Sequence, residues 1–328
     1  MQDCALFDVD GVLVDIRKSY NAAIKKTVDF MLGQQQQQQP LQSGKKRTAL
    51  KGLVTDGIIL RFRQSGGFNN DADTTYAITL ATLSRPPRSA ADGRRFLLNV
   101  AQSADETGIA SVEKFLAPYG IEKWKEVLGY PAPVRECALA RAFDEFFYGP
   151  ELFEKQNNLE PKYWWKQGGS RRRPLIKNDI LAVSPATMRQ LHKVFDGNLA
   201  MVTGRSRLAA EYSLRSIMKY FDLDACVFLE DEKREHAKPN PYAIKKAMGM
   251  MHANTAVYAG DSAEDLMMAR RAEKETGAQI SFVGIYGYSS QPSRTLENFK
   301  KMGVEAVATT VNRLPGLLKT KNKKKNGL

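Results

Sequence analysis

The chain has 328 residues, of which 43% are hydrophobic and 26% charged, and a formal net charge of +13. That length can bury one large or two medium domains, and the composition is that of an ordinary globular protein. No apolar run approaches a spanning helix in length, which excludes a transmembrane bundle.

The charge is uneven. Lys45, Lys46, Arg47 and Lys51, then Arg171, Arg172 and Arg173, then Lys319, Lys321, Lys323, Lys324 and Lys325 hold nearly the whole excess. All lie in segments that read as loops or tail, so the globular part is close to neutral. A basic run is usually a solvated tail, and nucleic-acid or membrane contact is the minority reading. Cys4, Cys137 and Cys226 are widely spaced, form no CxxC pair and leave an odd thiol. Buried, reduced cysteines in the cytoplasm are expected. His192, His236 and His252 lack zinc-ligand spacing. A core-like strand begins almost at Met1, with no signal peptide expected before it.

That strand is Cys4-Ala5-Leu6-Phe7, and it runs into Asp8-Val9-Asp10-Gly11. Val9 is expected to be buried, with Asp8 and Asp10 both at the strand's end, where open α/β sheets bind ligands. Two carboxylates there suit a hard divalent cation, or the paired roles of nucleophile and general acid/base. A plain Asp-rich turn after a strand fits the same residues.

Ile16, Tyr20, Ile24, Val28 and Met31 share one face and predict a helix over 16–32, broken at Gly33. Gln34 to Gln39, Pro40 and the basic stretch to Lys51 form low-complexity sequence, read as a disordered loop over 33–51. From Gly52 to Trp165 the periodicity is helical. Asp71 or Asp73 is a candidate cap for a helix carrying Tyr76 to Leu83, further helices fall at 95–104 and 111–116, and a stronger one at 136–148. Gly149-Pro150 punctuates the stretch. Gly66-Gly67-Phe68-Asn69-Asn70-Asp71 reads as a turn and N-cap, or as a loop reaching over the site at Asp8.

Gly168-Gly169-Ser170 reads as a hinge out of this insert. Helices and strands then alternate: a helix at 185–194, a strand at 199–202, a helix at 208–218, a strand at 225–229, a helix to Met251 led by Asn240-Pro241, a strand at 255–259, a helix at 262–275 stopped by Gly277, strands at 280–285 and 304–308, and a short helix to Leu318. Such alternation implies a parallel sheet with right-handed crossovers.

Four polar signals fall at strand ends or helix starts: Asp8-x-Asp10-Gly11, Thr203-Gly204, Lys238-Pro239 and Gly260-Asp261-x-x-x-Asp265. In this order and context the chain closely resembles the haloacid dehalogenase-like hydrolase superfamily, over residues 1–15 and about 175–318. The resemblance implies an α/β fold: a Rossmann-like, doubly wound parallel-sheet core at 1–15 and 175–318, a mainly helical type 1 cap domain at 16–174, and a disordered basic tail at 319–328.

It also implies Mg²⁺-dependent phosphoryl transfer through an aspartyl-phosphate. Asp8 is then the nucleophile, and Asp10 protonates the leaving alcohol and later deprotonates water. Relatives that dehalogenate carbon lack the second Asp, so Asp10 favours phosphate chemistry. Thr203 and the Gly204 amide bind phosphoryl oxygens, and Lys238 neutralises the anion. Asp8, Asp261 and the main-chain carbonyl of Asp10 bind Mg²⁺, with Asp265 behind them or acting through water. Gly66 to Asp71 resembles the cap loop of an uncharacterised branch, with Gly67, Asn69 and Asn70 as candidate substrate contacts.

Plainer readings stand beside these. Ser262-x-x-Asp265 fits a capping box, which gives Asp265 a structural role. Lys238 could be any exposed lysine, Ser206 fits a helix cap, and Arg205 is either a substrate contact or a surface residue. Lys245 and Lys246 read as a solvated helix face, and Trp164 and Trp165 as packing at the insert's base. Three functions are expected in order: a phosphatase of a small phosphorylated metabolite, a sugar-phosphate-type phosphomutase, and a non-catalytic scaffold or nucleic-acid-associated protein using the basic runs. Oligomeric state leaves no mark on the sequence.

Overall fold

A computed structural model describes residues 3–38, 52–68, 70–166 and 173–325. The chain divides into two compact units, Met1–Ile16 with Asp179–Leu328, and Arg17–Asn178.

The first unit is built on a sheet. Its strands are β1 (Cys4–Phe7), β4 (Leu199–Thr203), β5 (Val227–Phe228), β6 (Thr255–Gly260), β7 (Gln279–Ile285) and β8 (Ala306–Ala308). They lie in the order β5-β4-β1-β6-β7-β8, and every pairing is parallel. β1 and β4 are buried at every residue, and β6 at all but Thr255. This matches their continuous apolar sequence, since a parallel sheet is covered on both faces. β1 is central: Phe7 pairs with Met201 of β4 and Ala259 of β6. The loops after these three strands therefore leave the same edge of the sheet. A second pairing, unforeseen in the sequence, joins β2 (Val14–Asp15) antiparallel to β3 (Ile180–Leu181). These two short strands flank the points where the chain leaves and re-enters the unit. The unit's helices include Pro185–Val194, Arg207–Leu214, Tyr242–Met250, Ala263–Thr276, Pro292–Lys301 and Leu314–Lys325. Pro292–Lys301 was not anticipated, because its exposed face is rich in charge and it buries only Thr295 and Phe299 within the helix.

The second unit is helical: α1 (Tyr20–Gln38), α2 (Asp56–Arg63), α3 (Asp71–Ser84), α4 (Ala90–Ser103), α5 (Ile109–Leu116), α6 (Glu122–Leu128) and α7 (Ala138–Asn157). α3 is buried almost throughout and packs against α1, α5, α6 and α7. Tyr20 stacks on Phe147 at 4.1 Å, and Trp164 joins Ala142 and Phe146 in a cluster against Phe30. Trp164 is thus packing, as expected, whereas Trp165 is exposed.

Several expectations need correction. Gly33 does not end the first helix, which runs into the glutamines to Gln38. An interior glycine costs only about 1 kcal/mol relative to alanine, and α1 is held by α3 and α7. The rest of the expected loop, 39–51, lies outside the described residues, as do Gly168 to Arg172. Asn70, not Asp71 or Asp73, caps α3, its side chain accepting from the Ala72 N–H. α7 continues beyond Tyr148 with a kink at Gly149, where φ is +73° and a Cβ would come 2.3 Å from Pro174. Residues 175–178 belong to the helical unit. The lysine tail, expected to be disordered from 319, is helical to Lys325. The three cysteines are buried and free, and among the described residues no helix is long and apolar enough to cross a membrane.

Candidate active site

Asp8 follows β1, and its N–H donates to the Ala259 carbonyl of β6 at 2.9 Å. The chain then turns at Gly11, where φ is +73°. A side chain there is excluded twice over, by that conformation and because a Cβ would lie 2.0 Å from Asp261 Oδ2. Glycine after the DxD pair thus lets the loop after β1 press against the loop after β6.

Lys238, from the segment before Tyr242–Met250, reaches into the same place. Its Nζ lies 2.8 Å from Asp8 Oδ1 and 2.7 Å from Asp265 Oδ1. All three groups are buried. The lysine is therefore no exposed residue but the shared counter-ion of two carboxylates. Asp265 is the most heavily bonded group. Its Oδ1 accepts from Lys238 and from Tyr258 OH, the latter at 2.5 Å. Its Oδ2 accepts from the N–H groups of Asp261 and Ser262 and from Ser262 Oγ. Ser262 Oγ accepts in turn from the Asp265 N–H, which completes a capping box on Ala263–Thr276. The capping reading of Asp265 is thus fulfilled, together with a grip on Lys238.

Thr203 ends β4, fully buried, with its Oγ1 accepting from the Arg205 N–H at 3.2 Å, while Gly204 is exposed beside it. Ser206 caps Arg207–Leu214, as expected. Arg205 is neither a surface residue nor open to a substrate. Its side chain is completely buried, with Nε and Nη2 each 2.6 Å from Asp10 Oδ1 and Nη1 2.7 Å from Asp179 Oδ2.

Five carboxylates (Asp8, Asp10, Asp179, Asp261 and Asp265) thus meet two cations, Lys238 and Arg205. The imbalance falls on Asp8. Burial, joined by the charges of Asp265 and Asp10 and opposed by Lys238, pushes its carboxyl up to about 7. Burial alone would lower Lys238, but Asp265 and Asp8 outweigh it and hold the ammonium above its ordinary range. Asp265 is held below the usual carboxylate range, since Lys238 outweighs the effect of burial. Burial and the same carboxylates hold the Tyr258 phenol well above its ordinary value.

The donor set suits a hard cation. Asp8, Asp261 and Asp265 each bring a carboxylate oxygen within 4.8 Å of the others. Asp8 Oδ1 is buried beside the Lys238 ammonium, 2.8 Å away. An all-oxygen, net-negative cluster of this kind fits Mg²⁺ better than a thiophilic metal. The Asp10 side chain is not among the three.

Residues 175–273 match the family model of the haloacid dehalogenase-like hydrolases. No curated protein matches. Among solved structures, a phosphatase, Tt82, from Thermococcus thioreducens has the same fold, with a TM-score of 0.54 at 23% identity over 90% of this chain and 98% of that one. A conserved haloacid dehalogenase-like protein of unknown function from Agrobacterium tumefaciens matches with a TM-score of 0.49 at 13% identity, over 98% and 100% of the two chains.

In this protein the four sequence motifs meet around Asp8, but three participants were not foreseen. Tyr258 is one residue in a buried strand run, and only its hydroxyl, which needs a partner once buried, could have marked it. Asp179 and Ser213 have no local signature; they are selected by Arg205 in space. The candidate cap-loop residues act within the helical unit. A Cβ on Gly67 would lie 2.3 Å from the Asp105 carbonyl, so that glycine permits two loops to touch. Phe68, between Gly67 and Asn69, is buried against Phe62. Asn70 is spent on its cap, and Asn69 lies outside the described residues.

A pH dependence follows for the metal-free protein. Asp8 has an ordinary value of 3.8 and a folded value of about 7, so folding favours its protonated form. That contribution is complete below about pH 4 and is lost as pH rises to about 7. Lys238 and Asp265 change little in this window, because one is shifted upward and the other downward out of it. Urea midpoints of metal-free protein should fall between pH 4 and 7, and Asp8→Asn should flatten that part of the curve. A slope shared by both proteins would assign the effect to other groups.

Proposed function

We propose that the protein is a Mg²⁺-dependent phosphatase that hydrolyses a small phosphorylated metabolite through an aspartyl-phosphate. The observation that carries this reading is Asp8 itself: a buried carboxylate paired to Lys238, with carboxylate oxygens of Asp261 and Asp265 within 4.8 Å.

In the first step an Asp8 oxygen forms a bond to phosphorus as the bond from phosphorus to the leaving oxygen breaks. Asp10 delivers a proton to that oxygen, releasing an alcohol. In the second, a water oxygen bonds to phosphorus, the aspartyl oxygen leaves, and the water's proton passes to Asp10. Thr203 and the Gly204 amide hold phosphoryl oxygens, while Lys238 offsets their charge and fixes Asp8. Tyr258 and the capping box hold Asp265, and Asp265 holds Lys238. Asp8, Asp261 and the Asp10 carbonyl would hold Mg²⁺, with Asp265 behind them. The metal supplies charge stabilisation to the transferring phosphoryl group.

Purified protein stripped of metal should release no phosphate from a panel of phosphomonoesters. Millimolar Mg²⁺ should start turnover, and EDTA should stop it again. Undiminished release in EDTA would rule out this reading of the carboxylate cluster.

A further inference from the structure

Arg205 is the largest fully buried side chain of the core site. Burying a guanidinium costs several kcal/mol unless its charge and its donors are met, and one carboxylate would neutralise it. It meets two, at opposite ends of the fork. Nε and Nη2 close on Asp10 Oδ1, while Nη1 donates to Asp179 Oδ2 and to Ser213 Oγ at 2.9 Å. Ser213 Oγ donates in turn to Asp179 Oδ2 at 2.6 Å. The backbone is tied as well, through the Arg205 N–H on Thr203 and the Ser206 N–H on Glu230 at 3.0 Å. A planar fork fixed at its far end by an ion pair and a hydroxyl fixes whatever it grips at the near end. Asp10 needs such a hold, because its side chain is one-quarter exposed at the rim of the site, where a solvated carboxylate would sample several rotamers.

We propose that Arg205, braced by Asp179 and Ser213, is the positioning residue for the general acid/base, keeping the Asp10 carboxylate where it can exchange a proton with the leaving oxygen and then with water. Arg205 touches neither phosphoryl group nor metal in this assignment. The proposal rests on the reading of Asp10 as acid/base given above. A simple salt bridge would serve stability alone, and the two roles separate by leaving group. Protonation matters for expelling an alkoxide and little for expelling a nitrophenolate. kcat/KM reports only the steps through alcohol release, so hydrolysis of the phosphoenzyme does not blur the contrast.

The test uses Arg205→Lys, which keeps the charge but cannot span both carboxylates. With Mg²⁺ present, its kcat/KM should fall about 100-fold on an alkyl phosphate, within the range general acids supply, and less than about tenfold on p-nitrophenyl phosphate. Its crystal structure should show the Asp10 carboxylate displaced or in several rotamers, with Asp8, Lys238 and Asp265 unmoved. Equal losses on the two substrates, or an Asp10 that stays in place, would overturn the proposal. Should Arg205→Lys fail to fold, Asp179→Asn is the milder variant, expected to show the same contrast at about tenfold; equal losses there count against it too. Should the unaltered protein hydrolyse neither substrate, the phosphatase reading falls, and the crystal structures alone decide whether Arg205 holds Asp10.

Discussion

Asp8→Asn should lower phosphatase turnover by at least about 10⁴-fold while leaving the fold intact, since loss of a nucleophile removes the covalent route altogether. An amide keeps the volume of the carboxylate but cannot form the acyl phosphate. The same substitution should not destabilise the metal-free protein near neutral pH. Asp8 is a buried carboxylate whose ionisation is disfavoured there, first by burial and then by its like-charged neighbours. Removing that charge leaves Lys238 with Asp265 as a one-to-one pair at 2.7 Å. Function and stability therefore oppose each other at this position, as they do wherever a reactive group is kept unsatisfied. The measurements are kcat, circular dichroism and urea midpoints on both proteins, with beryllium fluoride and Mg²⁺ as a trap. The fluoride adduct should form on Asp8 in the unaltered protein and be absent from the variant. Near-normal turnover in Asp8→Asn with an unchanged spectrum would place the nucleophile elsewhere.

Lys238→Met should be the most damaging single change to stability in the core site, by about 3–5 kcal/mol, the cost of leaving buried charge uncompensated. Two carboxylates lose their shared cation at once, and neither can reach water, for Asp8 and Asp265 are 5% and 0% exposed. Asp265 still accepts from Tyr258, Ser262 and two backbone amides, so the larger share of the penalty falls on Asp8. The double variant Asp8→Asn/Lys238→Met should therefore recover much of the loss, giving a coupling energy above the few tenths of a kcal/mol seen for independent sites. Lowering the pH should also narrow the gap between Lys238→Met and the unaltered protein, as Asp8 takes up a proton. Additive losses in the double variant would mean that the two side chains are not energetically paired. Activity should be lost as well, since the cation that offsets the phosphoryl charge is gone.

Much of the core was legible because local chemistry and tertiary role agree there. Apolar runs of four to six residues, spaced by helical segments, could satisfy their backbones only as strands of a covered parallel sheet. The runs of β1, β4 and β6 end at Asp8, Thr203 and Asp261, and parallel strands deliver those ends to one edge. Lys238 marks no strand end, and only the family resemblance placed it with them. The helical character of the insert was equally plain, since a 3.6-residue period is a property of the segment itself.

Helix limits were less legible. α1 outruns Gly33 because packing against α3 and α7 outweighs a weak local breaker, a balance invisible in the residues alone. What only the tertiary structure decided is which polar residues are buried and with whom. Lys238 looks like any lysine until two carboxylates are found on either side of its Nζ. Arg205, beside a helix cap, looks like surface until Asp10 and Asp179, far apart in the chain, close on its guanidinium. Tyr258 reads as one more core aromatic until its hydroxyl meets Asp265. Charge pairing in a buried site acts across elements and carries no period or spacing. The order of residues thus determined where the carboxylates would gather, and the packing of distant loops decided which cations meet them.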